Sequence, residues 1–516
     1  MNPLITQYRL LPEVRLDQPP ESWIHAEGLQ GPFGITAAVA DFAEVLDWQE
    51  KRRGLTHGYY RLIHPPRVQR FKARLEARYA GMTAVLFASG PLAAAEVRDL
   101  QELRGRMEPV QVHTDLPETL SGGWHVLDFS DAESGMLMGA ALIADAGFAA
   151  ELHERNRRRG GALSARNVAR VFGEPEAHEA DPAVREAVSG RICELCGADH
   201  AVFYPSGMAA VTAVLEQFLT QERPRMLVMG NVYRDTHMLL EEIPWAGRPV
   251  TADILDTHDL DGLRDRAGQP DVAGVFLETV TNPLIEIPNL PEIIAVAKAA
   301  GIPVLVDNTM ATPLNCRPLE LGADVVVHST SKYLSGNNAH GGGVVLTRNA
   351  ETARAFDARA DALGLGLSPL EFPGLWNGLE TFCERMARFN RNGQALARML
   401  REHPAVDAVY FGEEDLPDWL EGLGSVVSCE LKEKSQAALA QVFDAPMAPV
   451  VKAPSLGSDV TLFCPYVLLT YYDKSDAYLE DCHLPRHLLR FAVGSEADFA
   501  PVLDAVRGAL DRVTPG

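Results

Sequence analysis

The sequence is short of basic residues, and of lysine in particular. Among its 516 residues 47 are basic and 70 are acidic, and only eight of the basic ones are lysine. Proteins that bind nucleic acid neutralise its phosphates with lysine and arginine, so a net charge of −23 argues against a broad nucleic-acid-binding face. Small anionic ligands remain compatible with this charge. The scarcity of lysine makes each one a candidate for chemistry.

Long apolar runs are missing as well. The run 135–144 is ended by Asp145, and the first twenty residues contain charged side chains such as Arg9 and Glu13 where a secretory signal needs an apolar stretch. With 47% hydrophobic and 23% charged residues, the composition is that of a folded globular enzyme. We therefore expect a cytoplasmic protein.

Cysteine is infrequent and odd in number, which disfavours a disulfide framework. The seven cysteines are scattered, and one Cys-x-x-Cys pair, Cys193 and Cys196, invites a metal or redox interpretation. The sequence has no second such pair, and these residues fall on a predicted helix. We interpret them as packing residues, with a metal or redox site as the alternative.

The middle of the chain alternates short apolar runs with helical patterns. This alternation predicts an α/β architecture with a mainly parallel sheet. The predicted helix 291–300 has apolar residues at helical spacing and is followed by Gly301, a suitable C-cap. The predicted strands are 226–229, 274–278, 303–307, 325–328 and 343–346.

The length of the chain predicts two or three domains. A long helix over 376–402 would lead into a small α+β domain, which gives predicted domains at 1–150, 151–375 and 376–516. Segments 70–90 and 185–207 both run from a helix through a strand to a Ser-Gly turn. We interpret region 1–150 as a partial copy of the central domain, with chance similarity as the alternative. The charged stretch 154–161 between the copies is predicted to be a solvated linker.

Segment 303–343 contains the most informative chemistry. Asp307 ends one predicted strand and Lys332 follows the next, directly after the hydroxyl residues Ser329 and Ser331. Sites in open parallel sheets form at the carboxyl ends of the strands, so the acid and the lysine should lie close together. A lysine of this kind suits a Schiff base with a phosphorylated aldehyde, and the acid suits a pyridine nitrogen. These features point to pyridoxal phosphate (PLP).

A second turn fits the phosphate of such a cofactor. Ser206, Gly207 and Met208 follow a predicted strand and open the predicted helix 209–219. Free backbone amides at a helix N-terminus attract anions, and glycine permits a close approach. Without the lysine motif we would interpret this segment as an ordinary turn.

Together these motifs resemble the PLP-dependent enzymes of cysteine and methionine metabolism, which include cystathionine γ-synthases and lyases. The resemblance covers about residues 185–510 and implies the PLP-dependent transferase fold of type I. It is found in SGMAAV (206–211), LETVTNP (277–283), VDNTMATP (306–313), LGADVVVHSTSKY (321–333), SLGSDVTL (455–462) and LLRFAVGSE (488–496).

The resemblance implies a role for each matching residue. Lys332 would bind the cofactor aldehyde and shuttle protons, Asp307 would bind the ring nitrogen, and Asn282 would lie near the ring hydroxyl. Tyr233 would stack on the ring and act as an acid–base group. The substrate carboxylate would be held by Arg490, with Ser455 close by. The cofactor phosphate would be held by Ser206, Gly207, Met208, Ser329 and Ser331.

Two of the places where the sequence departs from the family pattern involve arginine. A Tyr-x-Arg pair that reaches the phosphate from the neighbouring subunit is missing before the Ser206 turn. Tyr59 and Arg61 in the first copy match it, and Arg166 is the competing candidate. An extension of this kind resembles the fungal-type branch of cystathionine γ-synthases. The other departure is Arg234, which replaces the usual glycine after the ring-stacking tyrosine and predicts an altered substrate entrance.

The implied activity is γ-replacement through a vinylglycine-type intermediate. The donor would be an O-acylhomoserine or a sulfonium such as S-adenosylmethionine, and a carbon or nitrogen nucleophile is compatible with the altered entrance. Elimination by a γ-lyase is the alternative reaction, and a pseudoenzyme that keeps only the fold is the alternative outside catalysis. The resemblance also implies a homodimer or homotetramer acting on small molecules, without nucleic acid, membrane or metal.

Overall fold

The structure is a computed structural model that describes residues 7, 41–49, 66–120, 123–130, 138–161, 163–172, 181–245, 250–338, 340–412 and 416–513. Three sheets of four, seven and five strands form within these ranges. They follow one another along the chain.

The first sheet belongs to residues 66–172, called the N-terminal unit below. Its strands are β1 (Thr83–Phe87), β2 (Val110–His113), β3 (Trp124–Asp128) and β4 (Gly139–Ile143), in the order β1-β4-β3-β2. Its helices are Pro66–Arg78, Gly90–Leu103, Ala146–Arg159 and Ala165–Phe172. An isolated helix, Phe42–Gln49, packs against the C-terminal part of the chain, where the Phe42 amide donates to Asp444.

The central sheet holds seven strands in the order β5-β11-β10-β9-β8-β6-β7. They are β5 (His200–Tyr204), β6 (Arg225–Met229), β7 (Thr251–Leu255), β8 (Val272–Glu278), β9 (Val304–Asp307), β10 (Val325–Ser329) and β11 (Gly343–Thr347). The accompanying helices are Pro182–Cys196, Gly207–Phe218, Arg234–Glu241, Leu260–Ala267, Leu290–Ala300, Thr312–Asn315, Pro318–Leu321 and Ala350–Leu363. The predicted strands and the helix ending before Gly301 are thus present, with ends shifted by one or two residues.

One strand makes the central sheet mixed. Strand β11 runs antiparallel to both of its neighbours, β10 and β5, whereas the remaining pairs are parallel. The chain leaves β10 at Ser329 and reaches Gly343 through turns, with no helix in the described part of this connection. A parallel return needs a long crossover, so this connection brings the chain back antiparallel.

The third sheet follows the long helix Phe372–Glu402, which begins four residues before its predicted start. Its strands are β12 (Val406–Tyr410), β13 (Val426–Leu431), β14 (Val451–Lys452), β15 (Leu462–Pro465) and β16 (Leu489–Ala492), in the order β12-β13-β16-β15-β14. Its helices are Gln436–Phe443, Tyr466–Thr470, Asp476–Asp481 and Ala500–Leu510. Positions 150 and 375 both fall inside helices, and the division into three domains stays a prediction.

The first and central sheets share a pairing pattern. Strands β1, β4, β3 and β2 pair antiparallel, antiparallel and parallel, as do β5, β11, β10 and β9. Ser89 caps the helix after β1 with φ −154° and ψ 162°, and Ser206 caps the helix after β5 with φ −156° and ψ 163°. The turns after β1 and β5 therefore have the same local geometry.

The prediction of a solvated linker at 154–161 is wrong. These residues form the end of helix Ala146–Arg159, called the junction helix below, which Gly160 terminates at φ 78°. Arg155, Arg158 and Arg159 are at most 9% exposed. Carboxylates from distant parts of the chain pair with all three, which lets charged side chains be buried where the sequence indicates a solvated loop.

The core of the molecule lies on both faces of the central sheet. One apolar cluster joins this sheet to the C-terminal sheet, and another joins it to the N-terminal unit. Cys196 is buried, Cys193 is half-buried, and burial raises the pKa of both thiols. Within the described ranges, no helix combines the length and the apolar character needed to cross a membrane.

Candidate active site

A cavity opens at the carboxyl ends of the central strands, between them and the C-terminal sheet. Strands β8, β9 and β10 contribute Glu278, Asp307 and Ser329 to its wall. Parallel strands present their carboxyl ends at one edge, so three residues far apart in sequence meet there. The cavity also contains Lys332 and Arg490, which gathers the main predicted site residues in one place.

Lys332 lies in the turn after β10 and is 8% exposed. Its Nζ donates to Ser455 Oγ at 3.0 Å, and that hydroxyl donates to Asn338 Oδ1 at 2.8 Å. Gly457 approaches the backbone of this turn: an added Cβ would lie 2.8 Å from the Lys332 carbonyl carbon, and φ is +71°. The SLGSDVTL motif therefore contacts the lysine turn, and its Ser455 hydroxyl binds the lysine amine, a contact that the sequence did not indicate.

Two carboxyl groups stand side by side at this edge. Glu278 and Asp307 are register partners at the ends of β8 and β9. Burial, reinforced by the charge of Asp307, raises the pKa of Glu278 well above its usual value. Burial also raises the pKa of Asp307, although hydrogen bonds from Thr309 oppose this effect. A cationic group beside Asp307 would favour its ionised form.

The predicted phosphate cradle divides into two sets of residues. Gly207, Met208 and Ser329 line the cavity. Ser206 Oγ instead accepts the Ala209 amide at 3.0 Å and donates to the Gly160 carbonyl at 2.8 Å, so it acts as a helix cap. Ser331 lies behind the wall, with its Oγ 2.9 Å from that of Ser329. The first set can contact an anion directly, whereas Ser206 and Ser331 contact and orient the residues of the first set.

Arg490 is 2% exposed and faces the same cavity from β16. Its Nη1 donates to Asn282 Oδ1 at 3.2 Å, and its Nη2 donates to the Ser455 carbonyl at 2.8 Å. The guanidinium carbon lies 4.2 Å from the centre of the Tyr466 ring. Its Nε has no hydrogen-bond partner within the described ranges. A buried guanidinium held in this way is suited to a carboxylate.

Tyr233 begins the helix Arg234–Glu241 and lies in the cavity wall. Its backbone amide donates to Glu278 Oε1 at 2.5 Å, and its hydroxyl donates to Asp235 Oδ2 at 3.3 Å. Asp235 also pairs with Arg158 of the junction helix. A helix from the N-terminal unit therefore reaches the environment of the predicted acid–base group.

Arg234 is buried in the cavity wall rather than exposed at an entrance. Its Nη2 lies 2.5 Å from Asp473 Oδ1, and its guanidinium carbon lies 5.5 Å and 5.7 Å from the ring centres of Tyr471 and Tyr472. Its Nε has no hydrogen-bond partner in the part of the chain that the structure describes. This group could still donate to a ligand.

The predicted source of the Tyr-x-Arg pair stays open. Tyr59 and Arg61 lie outside the described residues. The competing candidate, Arg166, pairs with Glu371 at 3.2 Å and is not among the residues that line the cavity. Arg157, two residues before the end of the junction helix, does line it.

Sequence reasoning missed Glu278, Arg157 and Arg158 as residues of the site. Glu278 could have been found, because it ends a predicted strand beside the one that ends at Asp307. The two arginines lie in the stretch taken for a linker. Nothing local in the sequence indicates their partners, since Asp235 is 77 positions away from Arg158.

The cavity fits PLP in its charge and its shape. Lys332 and Asp307 face the same space, and the Gly207–Ser329 contact leaves no room for a side chain on the glycine: an added Cβ would lie 2.8 Å from Ser329 Cβ. A helix N-terminus with a bare glycine and a serine hydroxyl is suited to a phosphate. The buried guanidinium of Arg490 lies in the same cavity wall.

Similarity to known proteins agrees with this chemistry. The chain is 32% identical over 269 residues to a probable cystathionine γ-synthase from Herpetosiphon aurantiacus, a match that covers 51% of this chain and 83% of that protein. It is 28% identical over 351 residues to a cystathionine β-lyase from Lactococcus lactis, with 66% and 90% covered.

Solved structures give the same result. A cystathionine γ-synthase from Xanthomonas oryzae superposes with a TM-score of 0.60 at 28% identity, covering 64% of this chain and 86% of that one. These likenesses establish the fold as PLP-dependent transferase type I. The family model for Cys/Met metabolism PLP-dependent enzymes matches residues 180–505. The chain therefore belongs to the PLP-dependent enzymes of cysteine and methionine metabolism.

Proposed function

We propose that this enzyme catalyses γ-replacement on an amino acid derived from homoserine or methionine. The donor would be an O-acylhomoserine or a sulfonium of the S-adenosylmethionine type. The observation that supports this proposal is one cavity holding Lys332, Asp307, Tyr233 and Arg490 together. An anchored carboxylate, an amine and an electron-withdrawing cofactor are what removal of a Cα proton requires.

In this proposal each side chain has a separate task. Bound PLP supplies an electron sink that stabilises negative charge at the substrate Cα. Asp307 holds the cofactor ring, while Arg490 holds the substrate carboxylate and so fixes the direction of the Cα–H bond. Lys332 Nζ takes the Cα proton, and Ser455 orients that amine through the 3.0 Å hydrogen bond. The Tyr233 hydroxyl handles the proton of the leaving group or of the nucleophile.

Asn282 connects the two ends of this site. Its Oδ1 accepts from Arg490, and its Nδ2 donates to the Tyr466 hydroxyl at 3.1 Å. A cofactor ring hydroxyl bound at Asn282 would thus be linked to the carboxylate clamp. This link supports a fixed distance between cofactor and substrate.

We propose that Arg234 sets the class of the acceptor. Asp473 pairs with Nη2 of its guanidinium, but Nε is left as a donor in the wall that also contains Arg157, which favours an acidic nucleophile. The reaction would then form a C–C or C–N bond in a biosynthetic pathway. Elimination by a γ-lyase is the second candidate reaction, since the same residues lead to a 2-oxo acid and ammonia when no acceptor adds.

The first experiment mixes the holoenzyme separately with O-acetylhomoserine, O-succinylhomoserine, S-adenosylmethionine, cystathionine and methionine. Cofactor absorption is recorded, and the products are identified by mass spectrometry. A spectral change with one donor, together with a product that needs an acceptor, supports γ-replacement. Release of a 2-oxo acid and ammonia without an acceptor identifies the lyase.

The same assay tests the acceptor. Fast turnover of O-acylhomoserine with cysteine, unchanged in Arg234→Gly, contradicts a carbon or nitrogen acceptor. A protein that binds no PLP, and so shows no visible absorption, would be a pseudoenzyme.

We also propose that region 1–150 is a partial copy of the central domain, and that the enzyme is a homodimer or homotetramer. The shared strand pairing and the equivalent caps at Ser89 and Ser206 support the first proposal. Light scattering of the purified chain tests the second, and a monomeric mass would contradict it.

A further inference from the structure

The junction helix belongs to the N-terminal unit, yet one of its arginines lies in the wall of the central cavity and a second contacts another residue of that wall. Arg157 lines the cavity, and both Arg157 and Arg158 form ion pairs with Glu154, which lies one turn earlier in the helix. The Arg158 guanidinium also pairs with Asp235, and this pair is buried, with the two side chains 3% and 7% exposed. A buried ion pair is maintained only with good geometry, because both charges have lost water.

Asp235 uses its second oxygen for another contact. While Oδ1 binds Arg158, Oδ2 accepts the hydroxyl of Tyr233 at 3.3 Å. The three groups therefore form a chain from the junction helix, through a carboxylate, to the phenol in the cavity wall. Each contact lies between side chains, and the Arg158–Asp235 contact spans 77 positions in the sequence.

We infer that the Arg158–Asp235 pair is a positioning and charge-balancing device for Tyr233, through which the N-terminal unit controls the protonation of that residue. The inference rests on the proposed role of Tyr233 as an acid–base group. Asp235 fixes the direction of the hydroxyl, and Arg158 offsets the carboxylate charge that would otherwise oppose a phenolate.

The charges give this device a direction that can be tested. A lone carboxylate beside a phenol disfavours the phenolate, whereas a neighbouring cation favours it. Removal of the Arg158 charge should therefore keep Tyr233 protonated to higher pH, and removal of the Asp235 charge should let it ionise at lower pH. Within the described ranges, the other charged or titratable groups around this part of the cavity are Glu154, Arg157, Arg234, Glu278, Asp307, Lys332, Tyr466, Tyr472, Asp473 and Arg490.

The experiment follows Tyr233 directly. The full-length chain is labelled with tyrosine carrying 13C at the phenolic carbon, Tyr233→Phe assigns the signal, and its titration is recorded before and after PLP is added. We expect Arg158→Gln to move the titration up and Asp235→Asn to move it down, each by about 1 pH unit or more. The double variant should titrate between the two single variants, because it removes two opposite charges whose effects on the phenol oppose each other.

Arg155→Gln is the matched control. Arg155 lies on the same helix in an equally buried pair with Glu96 and does not line the cavity. Its loss should lower the melting temperature as Arg158→Gln does, while leaving the Tyr233 titration in place. The inference would be overturned by shifts of the same sign in Arg158→Gln and Asp235→Asn or by no shift in either. An equal shift in Arg155→Gln would overturn it as well. Asp235→Asn keeps the shape of the side chain, so it tests the idea even where Arg158→Gln folds poorly.

Kinetics separate this inference from the proposed function. If Tyr233 is the acid–base group, the limb of the kcat profile that disappears in Tyr233→Phe should move with the 13C titration. Titrations that shift while the rate profile stays fixed would support the device and refute the catalytic role of the tyrosine. If turnover depends on Tyr233 but its titration does not shift in the variants, the device is refuted and the proposed catalytic role of Tyr233 stands.

Discussion

Glu278 and Asp307 lie opposite each other in register at the carboxyl ends of β8 and β9, and both are buried in the cavity wall. Asp307 has the backbone and side chain of Thr309 as donors, and Glu278 Oε1 has the Tyr233 amide. The second oxygen of Glu278 has no hydrogen-bond partner within the described ranges. Two carboxyl groups this close favour a state in which Glu278 keeps its proton.

This relationship predicts a pH dependence of stability. Because its folded-state pKa is raised, Glu278 binds a proton in the folded chain at pH values where the unfolded chain has lost it. Stability should then fall as pH rises above about 4.3, the ordinary pKa of a glutamate. Glu278→Gln removes this contribution and keeps an oxygen for the Tyr233 amide.

Melting temperatures of the cofactor-free chain between pH 5 and 8 check this prediction. The wild type should lose stability relative to Glu278→Gln as pH increases. Parallel curves for the two proteins would show that Glu278 is ionised in the folded state, contrary to its buried environment.

Lys332 is expected to be the residue that links the cofactor covalently. Lys332→Ala should remove the visible Schiff-base absorption of the bound cofactor and lower kcat by about 10³-fold or more, within the range that general acid–base catalysis contributes. Lys434→Ala is the control, since Lys434 is half exposed and pairs with Asp407 and Glu430 on the C-terminal sheet. Retention of the visible absorption in Lys332→Ala would contradict the assignment.

Arg490 is expected to decide the affinity for the amino acid. Arg490→Ala should raise the KM of the donor by about 10- to 100-fold, because a hydrogen bond to a charged group contributes roughly 1.5–3 kcal/mol. Arg490→Lys should restore little, since a single ammonium cannot reproduce the planar fork held by Asn282 and Ser455. Steady-state kinetics with the donor that the first experiment identifies measure both variants, and an unchanged KM in Arg490→Ala would place the carboxylate elsewhere.

Gly207 is expected to be required for cofactor binding. An alanine there would place Cβ 2.8 Å from Ser329 Cβ and 3.0 Å from its Oγ, which would displace the serine from the cradle. The dissociation constant of PLP should rise by about 10-fold, which is equivalent to ~1.4 kcal/mol and lies within the range of roughly 1–3 kcal/mol that overpacking costs. Gly190→Ala is the control, because Gly190 is exposed on a helix with nothing within 4 Å of an added Cβ.

Fluorescence titration of the cofactor-free variants with PLP gives both constants. Gly190→Ala should bind as the wild type does and melt slightly higher, since alanine favours a helix more than glycine does. Equal affinities in Gly207→Ala and the wild type would mean that the phosphate does not approach this turn.

The sequence by itself determined most of the central domain. Short-range signals sufficed there: Val304–Asp307 and Val325–Ser329 are apolar runs that end in polar residues, and Gly301 ends a helix. Parallel topology then places Asp307 and Lys332 at one edge without knowledge of any contact. The antiparallel direction of β11 was not predicted, because it depends on a connection that contains no crossover helix.

The tertiary structure decided the identity of the charged residues around Tyr233. In the sequence, 154–161 is a cluster of charges that indicates solvent, because an isolated arginine costs free energy to bury. Only the fold brings Asp235 to Arg158, and Glu96 and Glu216 to Arg159, and thereby makes burial favourable. Ion pairs between residues far apart in the chain have no local signature, so their partners could not be read from the sequence. Likewise, only the fold shows that Gly207 and Ser329 face the cavity, whereas Ser206 and Ser331 bond to residues behind it.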